Sequence, residues 1–217
     1  MNWSTLFAWP ESLKSFEGIF TSVNEPWRWL DLIGSALEGA DYHNSSGHVT
    51  FPDGLHVSGP VFIHESVKLP PYGVIEGPAW IGPESQLRPG VYIRGNVIVG
   101  RGSVLGNSCE YKNSLLMDNV ETAHFNYVGD SILGTRAHLG AGVILANLKL
   151  KRDEVRMHTP EGRIPSGRKK VGAILGEGAE VGCNAVLQPG TILGKGAIVM
   201  STLAYGGYLP DGQVAQK

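Results

Sequence analysis

The sequence predicts an all-β chain coiled into a parallel β-helix of six-residue repeats, with a short helical segment at its N terminus. Three observations predict this fold: abundant glycine with few charges, an aliphatic residue at every sixth position, and helical spacing near the start of the chain. Glycine supplies 30 of the 217 residues, and only 18% of the residues are charged. Such a composition is typical of many short strands that are joined by turns.

The six-residue spacing of aliphatic residues is the strongest signal. It occurs at Ile63, Leu69, Ile75, Ile81, Leu87, Ile93, Val99 and Leu105, at Leu133 and Leu139, and at Leu175, Val181, Leu187, Leu193 and Val199. A spacing of six fits neither a helix nor a simple strand, and an ordinary β-sandwich would have to produce it by accident. One short strand and a turn fill six residues, so three units close a triangular coil and successive coils stack at strand spacing. We therefore expect the β-helix over residues 51–205, followed by a C-terminal tail over 206–217.

The first 50 residues lie outside the repeat and carry four of the five tryptophans. Pro26 follows Asn24 and Glu25 as a plausible helix start, and apolar residues at helical spacing come after it. We expect residues 1–50 to form a helical N-terminal cap that covers the open end of the β-helix or an adjacent subunit, because the last coil of a solenoid exposes unpaired strands.

A second region, residues 149–170, interrupts the repeat with eight Lys or Arg and three Asp or Glu. The aliphatic positions on either side, Leu145 and Leu175, are a multiple of six apart, so the repeat register is kept. The region is therefore expected to be a loop that leaves the side of a coil. The loop is either solvated or in contact with an anionic ligand.

Charge and composition limit the partners and the compartment. The net charge of −2 and the pI of about 6.4 give no reason to expect nucleic acid or an anionic membrane as a partner. The two cysteines, Cys109 and Cys183, form no disulfide framework and fit a reducing cytosol. With neither a signal-peptide pattern nor a membrane-spanning apolar stretch, the sequence predicts a soluble cytoplasmic protein.

Two features of the sequence indicate a functional site. The step from Met117 to Leu133 is not a multiple of six, and we assign the break to residues 124–130, where His124 lies among polar and aromatic residues. Arg94 and Lys112 should stack in neighbouring coils, where their charges repel unless an anion such as phosphate lies between them. Alternatively, both side chains extend into solvent, or Glu110 neutralises one of the charges.

Four segments together resemble one protein family. They are residues 107–113, residues 124–131 (His-Phe-Asn-Tyr-Val-Gly-Asp-Ser), residues 139–142 and residues 146–148. They resemble the C-terminal acetyltransferase domain of bifunctional glucosamine-1-phosphate N-acetyltransferase/N-acetylglucosamine-1-phosphate uridyltransferase, and the similar domain of archaeal-type sugar-1-phosphate nucleotidylyltransferases. The similarity covers roughly residues 75–200. It implies a left-handed β-helix of hexapeptide repeats, a homotrimer with active sites at the seams between subunits, and a role in UDP-N-acetylglucosamine biosynthesis.

The resemblance also implies substrate-binding roles for matching residues. Arg94 and Lys112 would hold the phosphate of an amino-sugar phosphate such as glucosamine 1-phosphate, with help from Tyr127. Glu110 and Asn147 would approach the sugar hydroxyls or the amine.

For catalysis, the resemblance implies that His124 is the general base that takes a proton from the sugar amine. Ala141, Cys183 and Ser201 would contact acetyl-CoA as the co-substrate. No metal and no covalent enzyme intermediate would be required. His138 would lie on the wall of the sugar pocket, at a position where the family usually has asparagine, so the acceptor sugar is left open.

Two further departures from the family bear on function. The tail carries no arginine to meet CoA, so CoA binding would rely on the basic loop over residues 149–170 or would be weak. We also expect the chain to lack the N-terminal nucleotidyltransferase domain of the family, and therefore to synthesise no UDP-sugars alone.

Other functions stay open at this point. Hexapeptide β-helices include zinc carbonic anhydrases, and His43 and His48 are suggestively spaced, but they precede the repeats and lack a third partner. The chain could instead be a trimeric scaffold that binds a sugar phosphate without acetylating it, or an acyltransferase whose acceptor is a nucleotide-linked amino sugar.

Overall fold

The computed structural model describes residues 1–40 and 49–216. Within them, the chain coils into a left-handed parallel β-helix of hexapeptide repeats, which confirms the fold class. Each coil after the first contributes one strand to each of three parallel sheets, which we name A, B and C, and strands are numbered in chain order. None of the described helices is long and apolar enough to cross a membrane.

Sheet A contains eight strands: β1 (Gly54–Ser58), β3 (Tyr72–Glu76), β6 (Val91–Arg94), β9 (Glu110–Lys112), β12 (Tyr127–Gly129), β15 (Ile144–Leu145), β20 (Val186–Leu187) and β23 (Ala204–Tyr205). Sheet B contains β2 (Val61–Ile63), β4 (Ala79–Ile81), β7 (Val97–Val99), β10 (Ser114–Leu116), β13 (Ile132–Leu133), β18 (Ala173–Leu175), β21 (Thr191–Leu193) and β24 (Tyr208–Leu209). Sheet C contains β5 (Gln86–Leu87), β8 (Val104–Asn107), β11 (Glu121–His124), β14 (His138–Leu139), β19 (Glu180–Val181), β22 (Ile198–Val199) and β25 (Val214–Ala215).

The interior of the β-helix is filled by the residues that the six-residue spacing singles out. Ile75, Ile81, Leu87 and Ile93 are buried in one continuous apolar cluster, and the later repeats add to it. Since each strand turns one aliphatic side chain inward, stacked coils bury a continuous column of apolar surface.

The break in the repeat lies elsewhere than we expected. The inward residue of β10 is Leu116, whereas Met117 faces outward into a second apolar cluster. The repeat shortens by one residue twice, between Tyr111 and Leu116 and again between Val128 and Leu133. Both shortenings fall at the corner that leads from sheet A to sheet B. The turn that contains His124 therefore keeps the six-residue step, and only the end of residues 124–130 contributes to the break.

The N-terminal segment is helical, with 3-10 turns at Trp3–Thr5, Glu11–Phe16 and Pro26–Arg28 and with helices α1 (Glu17–Phe20) and α2 (Trp29–Glu38). It covers the side of the β-helix instead of its open end, so the expected placement at the open end is wrong. The reason is the outer face of sheet B, where Ile98, Leu115, Ile174 and Ile192 pack against the aromatic residues of the segment. A row of outward apolar side chains needs such cover. The placement against an adjacent subunit stays a prediction.

The basic loop leaves the coil after β15 and returns at β18, as the spacing predicted. It contains an antiparallel hairpin of β16 (Arg156–Thr159) and β17 (Gly162–Pro165). The C-terminal boundary differs from the expected one, because β24 and β25 complete a further coil beyond residue 205. The step from Tyr205 to Leu209 is shorter than six residues. A search for aliphatic residues at every sixth position therefore does not detect the last coil.

Candidate functional site

The proposed catalytic and acetyl-CoA residues lie in a single column along the corner that leads from sheet C to sheet A. In sheet C, His124 is paired with Asn107 of the preceding coil. The register of the next three coils puts Ala141, Cys183 and Ser201 at the equivalent position, one above the other. Backbone hydrogen bonds link successive turns of this corner, from the Gly142 N–H to the His124 carbonyl at 3.0 Å and onward. We name these five residues the corner column.

Three members of the corner column present free backbone donors. In the part of the chain that the structure describes, the N–H groups of Ala141, Cys183 and Ser201 make no hydrogen bond, whereas the N–H groups of the residues beside them do. All three residues are at least partly exposed. A ligand with carbonyl oxygens could therefore be bound along this corner by main-chain groups alone.

The turn at His124 is held by a buried amide. Asn126 donates from Nδ2 to the Gly140 carbonyl at 2.8 Å and accepts at Oδ1 from the His124 N–H at 3.4 Å. Phe125 adopts a left-handed backbone with φ of 54° and remains 60% exposed, its ring centroid 6.2 Å from that of His124. A bulky residue in this conformation is strained, and such strain concentrates at functional sites. The imidazole of His124 is exposed beside it.

The outer face of sheet A carries the residues expected to bind the sugar phosphate. Arg94 donates to Glu110 at 2.7 Å, and this hydrogen bond raises the pKa of the guanidinium. Glu110 thus neutralises Arg94, one of the alternatives for the stacked cations. Lys112 forms no ion pair with any described residue and lines a cleft with Asp130 and Arg168. Of the two cations, Lys112 is therefore the one without an ion pair among the described residues, and the carboxylates of Asp31 and Asp130 line the same cleft.

A buried carboxylate, Asp130, lies behind this face and is only 2% exposed. It accepts hydrogen bonds from Asn113 Nδ2 at 3.0 Å, from Asn147 Nδ2 at 2.7 Å and from Arg168 Nη2 at 3.4 Å. Arg168 also pairs with Asp31 of α2. The basic loop, the N-terminal segment and sheet A are therefore joined at one carboxylate.

The hydrogen bonds around Asp130 determine which outward-facing groups remain donors and which remain acceptors. The two Nδ2 hydrogens of Asn147 go to Asp130 and, at 3.1 Å, to the hydroxyl oxygen of Tyr127. Asn147 therefore keeps its Oδ1 as an acceptor, and Tyr127 keeps its own proton to donate. Burial raises the pKa of Tyr127, so this proton stays in place at neutral pH.

The structure places His138 apart from sheet A within one chain. It lies on the outer face of sheet C, where Nδ1 is 2.7 Å from Glu180 Oε2. There it lines a groove with Cys183, Ser201 and Met200. A single chain thus brings His138 to the proposed acetyl-CoA residues and not to Arg94 and Lys112.

Four residues of the site received no role from the sequence: Asn113, Asn126, Asp130 and Arg168. Asn113, Asp130 and Asn147 recur at intervals of 17 residues. This interval is the sequence feature from which the hydrogen-bonded network could have been predicted. No feature of the sequence pointed to Arg168, because it lies in the basic loop, outside the repeats, and reaches Asp130 from there. His43 and His48 lie outside the described residues, and the described residues contain no group of His, Cys, Asp or Glu that could hold a metal ion.

The amino-acid sequence of the chain is similar to that of known proteins. A family model described as the GMPPB C-terminal domain matches residues 75–161. A bifunctional sugar-1-phosphate nucleotidylyltransferase/acetyltransferase of Sulfurisphaera tokodaii is 32% identical, over 88% of this chain and 49% of the relative. Bifunctional protein GlmU of Methanococcus vannielii is 31% identical, over 84% of this chain and 43% of the relative. The chain is homologous to the C-terminal part of these bifunctional proteins.

This homology confirms the resemblance that residues 124–131 indicated. The chain spans about half the length of the curated relatives it matches. Among solved structures, the acetyltransferase domain of PglB from Neisseria gonorrhoeae in complex with acetyl coenzyme A aligns with 63% of this chain and 53% of its own. Its TM-score is 0.38 at 19% identity.

Proposed function

We propose that the chain is an acetyl-CoA-dependent N-acetyltransferase that acts on an amino-sugar phosphate such as glucosamine 1-phosphate. The corner column carries the proposal, because it aligns an exposed histidine with three free backbone donors next to a face that bears arginine, lysine and tyrosine. Homology to bifunctional sugar-1-phosphate nucleotidylyltransferase/acetyltransferases supports the same reaction class.

His124 is the general base in this proposal. An amine must be neutral to attack a thioester, and a neutral imidazole can accept the proton that the amine loses. The side chain is exposed, and Asn126 holds its backbone, so the imidazole is presented outward from a fixed turn.

The free N–H groups of the corner column fit the co-substrate. The Ala141 N–H, one coil above His124, can donate to the thioester oxygen as negative charge develops on it. The N–H groups of Cys183 and Ser201 can donate to the amide carbonyls of the pantetheine arm, beside the apolar side chains of Ile198 and Met200.

Sheet A supplies the acceptor site. Lys112 and Arg94 attract the phosphate, and Tyr127 donates its hydroxyl proton to it. Asn147, with Oδ1 as its free acceptor, receives a hydrogen bond from the sugar amine or a hydroxyl. Glu110 holds Arg94 in place until the phosphate competes for it.

The deciding experiment is His124→Ala, assayed by thiol release from acetyl-CoA with glucosamine 1-phosphate as acceptor. We expect kcat to fall by about 10²–10⁴-fold, the usual contribution of a general base, while acetyl-CoA binding changes little.

His138→Asn is the matched control, since it changes another histidine of sheet C. If a neighbouring subunit brings His138 to the sugar pocket, as the family resemblance implies, this change should alter acceptor choice more than rate. If the His124 variant keeps full turnover while the His138 variant loses it, His138 is the base. If acetyl-CoA binds but no amino-sugar phosphate is acetylated by the wild type, a nucleotide-linked acceptor or a binding scaffold replaces the proposal.

A further inference from the structure

The hairpin of the basic loop forms a second polar cavity, distinct from the site above. We name it the hairpin pocket, and its lining consists of Lys149, Arg156, His158, Arg163, Gln188 and Pro189. Gln188 occupies the same corner position as Lys112, three coils further along the β-helix. Three coil rises amount to about 14 Å, so one phosphate cannot bridge Lys112 and this pocket.

Alternation along the two hairpin strands builds the pocket. Met157 and Ile164 pair across the hairpin and pack into the apolar cluster under the N-terminal segment. The neighbouring residues must then point the other way, which sends Arg156 and the His158–Arg163 pair towards the coil corner.

The hairpin is fixed to that corner at short range. The His158 N–H donates to the Gly190 carbonyl at 3.0 Å. A Cβ at Gly190 would lie 2.3 Å from the Arg156 carbonyl oxygen, and the φ of 82° also requires glycine. The basic side chains thus rest on a rigid support.

The charge of the hairpin pocket is unbalanced. No carboxylate belongs to its lining, and Arg156 and Arg163 form no ion pair with any residue in 1–40 or 49–216. Lys149 is the exception, since it pairs with Asp153 at 2.8 Å and donates to the Glu154 carbonyl. Burial, and then the charge of Arg163, lower the pKa of His158.

This arrangement costs free energy in the absence of a ligand. Arg163 faces His158 across the strand pair and Arg156 lies diagonally opposite Arg163 on the same face, so an anion between the two guanidinium groups would remove their mutual repulsion. Glu161, the acid of the hairpin turn, does not belong to the lining of the pocket.

We propose that the hairpin pocket binds a phosphate group, with Arg156 and Arg163 as the principal donors and His158 beside them. Two guanidinium groups match the oxygens of a phosphate, and Lys149 adds a cation at the edge. The site stands apart from the proposed catalytic residues and does not depend on the acetyltransferase proposal.

The test follows the ring signals of His158 by NMR in the full chain with labelled histidine. We expect inorganic phosphate to give a saturable shift and to raise the pKa of His158, while sodium chloride at equal ionic strength does neither. The double change Arg156→Gln with Arg163→Gln should weaken phosphate binding by about tenfold or more for each arginine.

Arg152→Gln is the matched control, because it removes an exposed arginine of the same loop outside the pocket. Phosphate binding that is equal in the double variant and the control, or an absence of saturation at millimolar phosphate, overturns the proposal. CoA, 3′-dephospho-CoA and glucosamine 1-phosphate then serve as competing probes. The probe whose affinity falls in the double variant but not in the control identifies the source of the phosphate.

Discussion

The change Asp130→Asn tests the buried network behind sheet A. Asp130 is 2% exposed and accepts from Asn113, Asn147 and Arg168. An asparagine removes the charge and points N–H hydrogens at one of these donors. Hydrogen bonds to a charged group contribute about 1.5–3 kcal/mol each, and breaking a buried pair costs about 3–5 kcal/mol. Because Arg168 keeps Asp31 as a second partner, we expect a loss of about 3–4 kcal/mol, in the lower part of that range.

The free energy of unfolding in urea measures this loss, and Asp31→Asn is its control. Asp31 contacts the same arginine, but its side chain is 57% exposed, so its removal should cost at most about 1 kcal/mol. The Asp130 variant should also raise KM for the amino-sugar phosphate, since Asn147 is then free to turn its amide and to release Tyr127. Equal stability of the two variants would refute the central position of Asp130 in the network.

Other changes probe the site and the assembly. Lys112→Ala and Arg94→Ala should each raise KM for the phosphate-bearing acceptor with kcat little changed, because each removes a charge-assisted bond worth about 1.5–3 kcal/mol. An amino sugar without phosphate is the control substrate, and unchanged KM values in both variants would mean that the cations are merely solvated. Phe125→Asn should raise the free energy of unfolding by about 1 kcal/mol by relieving left-handed strain, and a less stable variant would contradict this. Light scattering should show a homotrimer. A stable monomer at micromolar concentration would contradict the expectation that the site lies at a seam between subunits.

The sequence was sufficient to predict the β-helix because its signal is local and repeated. Ile75, Ile81, Leu87 and Ile93 each occupy equivalent positions, so the same burial is encoded many times. The placement of the N-terminal segment could not be predicted in this way. It depends on the outward residues of sheet B, such as Leu115, which are apolar but do not belong to the six-residue series.

The candidate site was predictable in part. The four residues His124, Ala141, Cys183 and Ser201 were assigned from the family resemblance, and the strand register independently aligns them. The free N–H groups could not be predicted, because they depend on which main-chain groups the neighbouring coils leave unpaired. The pairing of Arg94 with Glu110 was one of several arrangements that the sequence allowed.

The two shortened corners explain why the Asp130 network exists at this place. Removing one residue from a corner changes the coil length from 18 to 17 residues, and Asn113, Asp130 and Asn147 recur at that interval. Their side chains therefore form a hydrogen-bonded ladder along one edge of sheet A. The basic loop leaves the coil shortly after Asn147 and returns Arg168 to the middle of the ladder. The two shortened corners thus bring together the polar side chains behind Tyr127. Asn147 of this ladder donates to the Tyr127 hydroxyl, which faces the proposed acceptor.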